Sequence, residues 1–160
     1  MLNLSIALPI KVQNGGLFIS RGVGRHPARR LRSWEVLFVE KGTLAIQEED
    51  RIFHVAAGDS LLLWPGRRHV GIEDFPADLK FYWLHFEVNV SVPPHPLLTQ
   101  LAIPQQTTLH DPQYLTSLFR QFLNEQEKIQ RNASLELILL LILQHISLSA
   151  QQAEPKDEGG

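Results

Sequence analysis

The stretch "FYWLHFEV", residues 81–88, holds the reading that decides the fold. In a β-strand, Phe81, Trp83, His85 and Glu87 point one way, and Tyr82, Leu84, Phe86 and Val88 the other. The second set is core-like apart from one phenol. The first mixes flat aromatic surface with hydrogen-bonding groups, the make-up of a pocket for a small polar molecule. Its neighbours decide what kind of sheet it joins.

Upstream lies a series of short strands broken by turn residues: "GLFIS", "WEVLFVE", "TLAIQEE", "RIFHVA" and "SLLLWP", with "KG", Asp50, "AGD" and "GRRH" between or after them. A basic stretch, "RGVGRHPARRLR", follows the first strand. Evenly spaced short strands of this kind predict an antiparallel sandwich or barrel over residues 15–90. Residues 91–110 are proline-rich and read as a connecting loop.

The period then changes. Asp111 is a good N-cap and Pro112 suits the first helical position. Tyr114, Leu115, Leu118, Phe119, Phe122, Leu123 and Ile129 recur on one helical face. A second helix, capped by Asn132, runs through "ASLELILLLILQHISLS". It is apolar almost all round. Leu135, Ile138, Leu139, Ile142 and Ile146 form one stripe, and Leu137, Leu140, Leu141 and Leu148 a second, with Gln144 beside it. A surface helix needs one stripe. The second is either buried in a groove of its own domain or meets a partner subunit, and the partner is the preferred reading.

The chain has 160 residues, is 44% hydrophobic and carries a formal charge of −2, which describes one domain long enough to bury a core. The charge argues against a protein whose main task is gripping phosphate backbones. Without cysteine there is no disulfide, thiolate nucleophile or cysteine-ligated zinc. No basic leader or cleavage site marks the start, and the longest aliphatic run, Leu137–Leu143, falls short of the roughly 20 residues that cross a bilayer. The expectation is a cytoplasmic protein with no membrane contact.

Catalytic motifs such as a Gly-x-Ser-x-Gly elbow, a P-loop or His-Glu-x-x-His do not occur. The spacing of Glu35 to Gly42, and of Gly58, Gly66 and His69, resembles the two motifs of the cupins, with Pro65 one place late. The histidine pair of the first motif is missing: the two alternative alignments put Arg29 and Leu31, or Ala28 and Arg30, in its place. Only two of four metal ligands are thus recognised, in an arginine-rich neighbourhood, so neither metal nor other cofactor is expected. Glu35 and His69 are read as hydrogen-bonding each other, Arg25 or a ligand; a satisfied buried pair without function carries nearly equal weight. The cluster Arg21, Arg25, Arg29, Arg30 and Arg32 reads first as a solvated loop. A nucleic-acid patch is a second reading, without a recognition helix or stacking platform to go with it. A third is that one of them, best Arg25, turns inward, since a guanidinium fork suits carboxylates and vicinal hydroxyls. The remaining histidines, among them His26, His95, His110 and His145, read as surface or packing residues.

Taken in order, "WE-x-x-x-V-x-x-G", "AGD-x-LLL-x-PG-x-x-H" and "FYWLHF" within residues 26–88 resemble the N-terminal sensory domain of AraC-family bacterial transcription regulators. The helical pair at 111–149 matches the pair that commonly makes the dimer in that family. The resemblance implies a mainly β, cupin-like jelly-roll barrel followed by two helices. It implies a small polar effector, a sugar being one case. Trp83 and, more approximately, Arg25 match the residues that hold the sugar in sugar-responsive members. Glu35, His69 and His85 complete the expected ligand-binding set, and a homodimer is expected through Leu137, Leu140, Leu141, Gln144 and Leu148. Residues 1–14 match the family's N-terminal arm, and 150–160 a linker to a DNA-binding domain of helix-turn-helix type that this sequence does not contain. DNA contact is expected through that domain alone. The rival readings are a small cupin enzyme, an isomerase or dioxygenase, and a dimerisation module whose barrel binds nothing.

Overall fold

The structure, a computed structural model, describes residues 1–89, 100–130 and 132–153. Nine strands and two helices follow one another as β1 (Ile10–Ile19), β2 (Arg29–Arg30), β3 (Trp34–Lys41), β4 (Thr43–Glu48), β5 (Arg51–Ala56), β6 (Asp59–Leu63), β7 (Arg68–Gly71), β8 (Lys80–Val88), β9 (Gln106–Thr108), α1 (Pro112–Gln126) and α2 (Ser134–Ala153). The strands form two antiparallel sheets, of order β1-β8-β3-β6-β9 and β2-β7-β4-β5. This is the mainly β fold with two C-terminal helices that the sequence pattern predicts.

The larger sheet is the middle layer, which explains its strands. "VLFV" of β3 and "LLL" of β6 are apolar at consecutive positions because both faces are covered. One face carries Leu37, Val39, Leu61, Leu63 and Phe81, packed with Leu44, Ile46, Phe53 and Val55 of the smaller sheet. The other carries Val36, Phe38, Leu62, Tyr82, Leu84 and Phe86, packed on the helices. There Phe38, Tyr82 and Phe119 stack, with centroids 5.2–6.2 Å apart. The alternation expected along residues 81–88 is thus the one observed.

Both helix starts follow from local chemistry. Asp111 accepts a hydrogen bond from the Tyr114 amide at 3.1 Å, and Asn132 accepts from that of Ser134 at 2.8 Å. At the end of α1, the Gln126 side chain clamps Gly15 of β1, accepting from its N–H at 2.8 Å and donating to its carbonyl at 2.9 Å. In α2 the stripe of Leu135, Ile138, Leu139, Ile142 and Ile146 is buried, as expected.

Four expectations need correction. The first strand begins at Ile10, inside the segment read as an arm, because Ile10 and Val12 pack in the core and pair with β8. A short strand, β9, lies in the stretch read as loop, its Gln106–Thr108 pairing with β6; residues 90–99, with His95, lie outside the described residues, as does 154–160 of the linker. Helix α1 stops before Ile129, which is fully exposed. Finally, α2 is long and apolar enough by length and composition to cross a membrane, though half of the span is buried inside the domain. Counting only the uninterrupted aliphatic run missed this, since polar Gln144, His145 and Ser147 break the run without lowering the average much.

Candidate functional site

Between the two sheets lies a cavity of about 360 Å³. Register brings its residues together. Glu35 of β3 is directly opposite His85 of β8, and Arg29 of β2 is directly opposite His69 of β7. Trp83, two residues from His85, faces the same way and forms an edge contact with it at 5.3 Å. The loop before β2 brings His26 against β7: Gly71 donates to the His26 carbonyl, and a Cβ on Gly71 would come within 2.6 Å of the His26 backbone nitrogen. Only glycine permits that approach.

Glu35, His26, His69 and His85 are all buried, with Glu35 2% exposed. Arg29 is half-buried among them. Its Nε lies 3.3 Å from His69 Nε2, and its Nη2 3.4 Å from His26 Nε2 and 3.8 Å from Glu35 Oε1. His26 Nδ1 faces the Pro27 carbonyl at 3.2 Å, so Nδ1 carries the proton and Nε2 presents a lone pair to Arg29. Buried Ser33 meets His85 Nδ1 at 3.2 Å and turns His85 Nε2 toward Glu35 Oε1, 3.6 Å away. Within the cluster, the fully buried Glu35 Oε2 and His69 Nδ1 have no hydrogen-bond partner among the described residues.

Burial sets the protonation of this cluster. Loss of solvation, with the Arg29 charge nearby, lowers His26, His69 and His85 to about 4, so all three are neutral near pH 7. Burial also raises Glu35 to about 7, against the opposing pull of Arg29.

The residues that the sequence singles out as ligand-binding are placed as follows. Trp83, His85, Glu35 and His69 all line or adjoin the cavity. Arg25 only reaches its rim: the side chain is more than half exposed and pairs with Asp74 at 2.8 Å. Arg29 is the inward arginine, because pairing opposite His69 fixes its direction. His26, read as a surface or packing residue, joins the cluster; its signal was Gly71, whose role appears only when the strands are paired. Three potential metal ligands therefore converge, not two: donor atoms of His26, Glu35 and His69 lie within 4.8 Å of one another. A cupin-type metal does not fit the arrangement as it stands. The Arg29 guanidinium already sits on the same Nε2 and carboxylate atoms, and a fixed cation there opposes a second one.

A family model for the AraC-like ligand binding domain matches residues 20–143, from the end of β1 into α2. The chain belongs to that family. Within it, the chain is 34% identical over 77 residues to the uncharacterized HTH-type transcriptional regulator YisR of Bacillus subtilis (strain 168), a match covering 44% of this AraC-like domain and 27% of the regulator. The domain thus corresponds to about a quarter of that relative's length. Similar solved structures include the plu4264 protein of Photorhabdus luminescens, with 24% identity, a TM-score of 0.40, and coverage of 48% of this chain and 62% of that one. A cupin 2 conserved barrel domain protein of Salinispora arenicola CNS-205 has 16% identity, a TM-score of 0.40 and coverage of 53% and 69%. Oxalate decarboxylase OxdC of Bacillus subtilis, as its S161A mutant, has 11% identity, a TM-score of 0.41 and coverage of 54% and 23%. Family and relative point to a regulator's ligand-binding domain.

Proposed function

We propose that this domain senses a small molecule inside the barrel and forms a homodimer through α2, on behalf of a transcription regulator whose DNA contacts are made elsewhere. The observation that carries the reading is the cavity between the sheets of an AraC-like domain, lined by Trp83 together with His26, Arg29, Glu35 and His85. A small polar molecule, with a sugar as one candidate, occupies it. No reaction is assigned, since the cluster is held by a guanidinium and lacks an activated nucleophile.

A route from cavity to helices supports the same reading. Gly15 and Gly16 of β1 run between Trp83 and α1: a Cβ on Gly16 would meet the Trp83 indole at 2.6 Å, and one on Gly15 the Phe122 ring at 2.7 Å. A ligand that moves Trp83 presses this backbone, which Gln126 ties to the end of α1. The ligand acts as a switch only if it favours one arrangement over the other.

Thermal shift with a metabolite library tests the proposal. A true effector at about a hundred times its dissociation constant adds about 2.7 kcal/mol to stability. Stabilisation that survives Trp83→Ala unchanged places the ligand elsewhere and refutes the site. An enzymatic role is the alternative; turnover of a bound compound in purified protein would establish it.

A further inference from the structure

We propose that the effector is a flat aromatic molecule carrying one short polar edge, with a hydrogen-bond donor beside an acceptor, and is not a sugar. This rests on the sensing role above and names the ligand class of that same cavity.

The walls carry the argument. Phe18 of β1, Phe75 of the loop after β7, and Phe81 and Trp83 of β8 line one side of the cavity. The Phe18 ring lies 4.6 Å from that of Phe75 and 4.9 Å from that of Phe81, making one continuous aromatic surface from three segments of chain. Phe18, Phe75 and Trp83 are only half-buried, whereas Tyr82 on the opposite face of the same strand is 1% exposed. Aromatic faces left open inside a barrel suit a flat apolar ligand body.

Apart from Arg25 at the rim, which pairs with Asp74 beside Phe75, the polar lining comes from His26, Arg29, Glu35 and His85. A monosaccharide bears hydroxyls all round its ring, and those facing Phe18, Phe75 and Phe81 would lose water without finding partners. The edge at Arg29 and Glu35 is short and specific. Glu35 lines the cavity with its Oε2 buried and unpartnered, while Arg29, half-buried beside it, offers only donors and takes an acceptor from a ligand. A phenol or a primary aromatic amide supplies both. A bare carboxylate supplies only acceptors and meets a second oxyanion whenever Glu35, raised to about 7, is ionised.

Calorimetric titration of the folded chain with benzamide, phenol, benzoate, D-glucose and D-xylose tests the class. Benzamide or phenol should bind at least tenfold more tightly than either sugar, and more tightly than benzoate. Trp83→Phe should retain that binding and Trp83→Leu lose most of it, with circular dichroism confirming that both variants fold. Phe75→Ala, in a loop, should weaken it without loss of fold. Tighter binding of a sugar that depends on Trp83 overturns this inference while leaving the sensing role intact. Tighter binding of benzoate overturns the donor–acceptor edge. Failure of all five probes overturns the inference as well, and if the wider metabolite library also fails, the sensing role falls with it.

Discussion

Arg29 and His69 face each other across the β2–β7 ladder, with Arg29 Nε 3.3 Å from His69 Nε2, so a guanidinium holds the place among histidines and Glu35 that a metal ion would need. Removing it should expose the donors. Arg29→Leu is expected to bind zinc or cobalt at least about tenfold more tightly than the unmodified chain, since the two imidazoles and one carboxylate of His26, His69 and Glu35 suit such ions. Cobalt absorption spectra and calorimetry check this. Stoichiometric zinc bound by the unmodified chain through His26, Glu35 and His69 would show that Arg29 gives way.

Two neighbours on β8 should separate function from stability. Tyr82 stacks between Phe38 and Phe119, so Tyr82→Ala should cost about 3–5 kcal/mol, comparable to other large core truncations. Trp83 faces the cavity, so Trp83→Ala should cost less stability and most of the ligand affinity. Denaturant unfolding and binding, measured together, check the pair. Loss of binding in a still-folded Tyr82→Ala with full binding in Trp83→Ala would mean the strand faces are reversed.

Much of this was legible in the sequence, for physical reasons that also mark the limits. Strand alternation alone assigns Tyr82 to the core and Trp83 to the interior, and Asp111–Pro112 gives the start of α1 to the residue. Turn spacing found the long strands. The short ones, β2, β7 and β9, are stabilised by pairing partners and not by their own pattern, so the sequence alone does not show them. Arg29 and Arg25 are four residues apart in one basic loop, and nothing local tells them apart. The partner strand does: Arg29 pairs opposite His69, whereas Arg25 finds Asp74 at the surface.

The titrations of the cluster oppose one another, and the signs can be worked out. His26, His69 and His85 have folded values of about 4, below 6.5, so their contribution is present above pH 6.5 and lost as pH falls toward 4. Glu35 has a folded value of about 7, above 4.5, so its contribution is present below pH 4.5 and lost as pH rises through 7. Three histidines outweigh one glutamate below pH 6.5, and acidification from 6.5 should lower the melting temperature. Glu35→Gln, which cannot ionise, should gain stability relative to the unmodified chain as pH rises from 5 to 8. A stability difference between the two that does not change with pH would contradict the raised Glu35 value.

The outer stripe of α2 should pair two copies. Leu137, Leu141 and Leu148 are each 43–45% exposed, Gln144 is exposed between them, and Leu140 is partly buried against the core, so it contributes at the edge. Leu141→Glu would place like charges near a two-fold axis and should give monomers or aggregates. Sedimentation of the unmodified chain at tens of micromolar should show a dimer with or without ligand. A well-behaved monomer would refute the interface.

Trp83 is the most direct reporter of the central claim that the barrel binds an effector. The chain has three tryptophans. Trp34 and Trp64 contact each other at 4.4 Å, and Trp34 packs with the helix-facing core, whereas Trp83 alone lines the cavity. Indole N–H signals assigned in a ¹H–¹⁵N spectrum should therefore respond selectively when small aromatic and sugar metabolites are titrated. The account predicts a saturable shift of the Trp83 signal while those of Trp34 and Trp64 hold still. A ligand that shifts Trp34 or Trp64 and leaves Trp83 unmoved would contradict it.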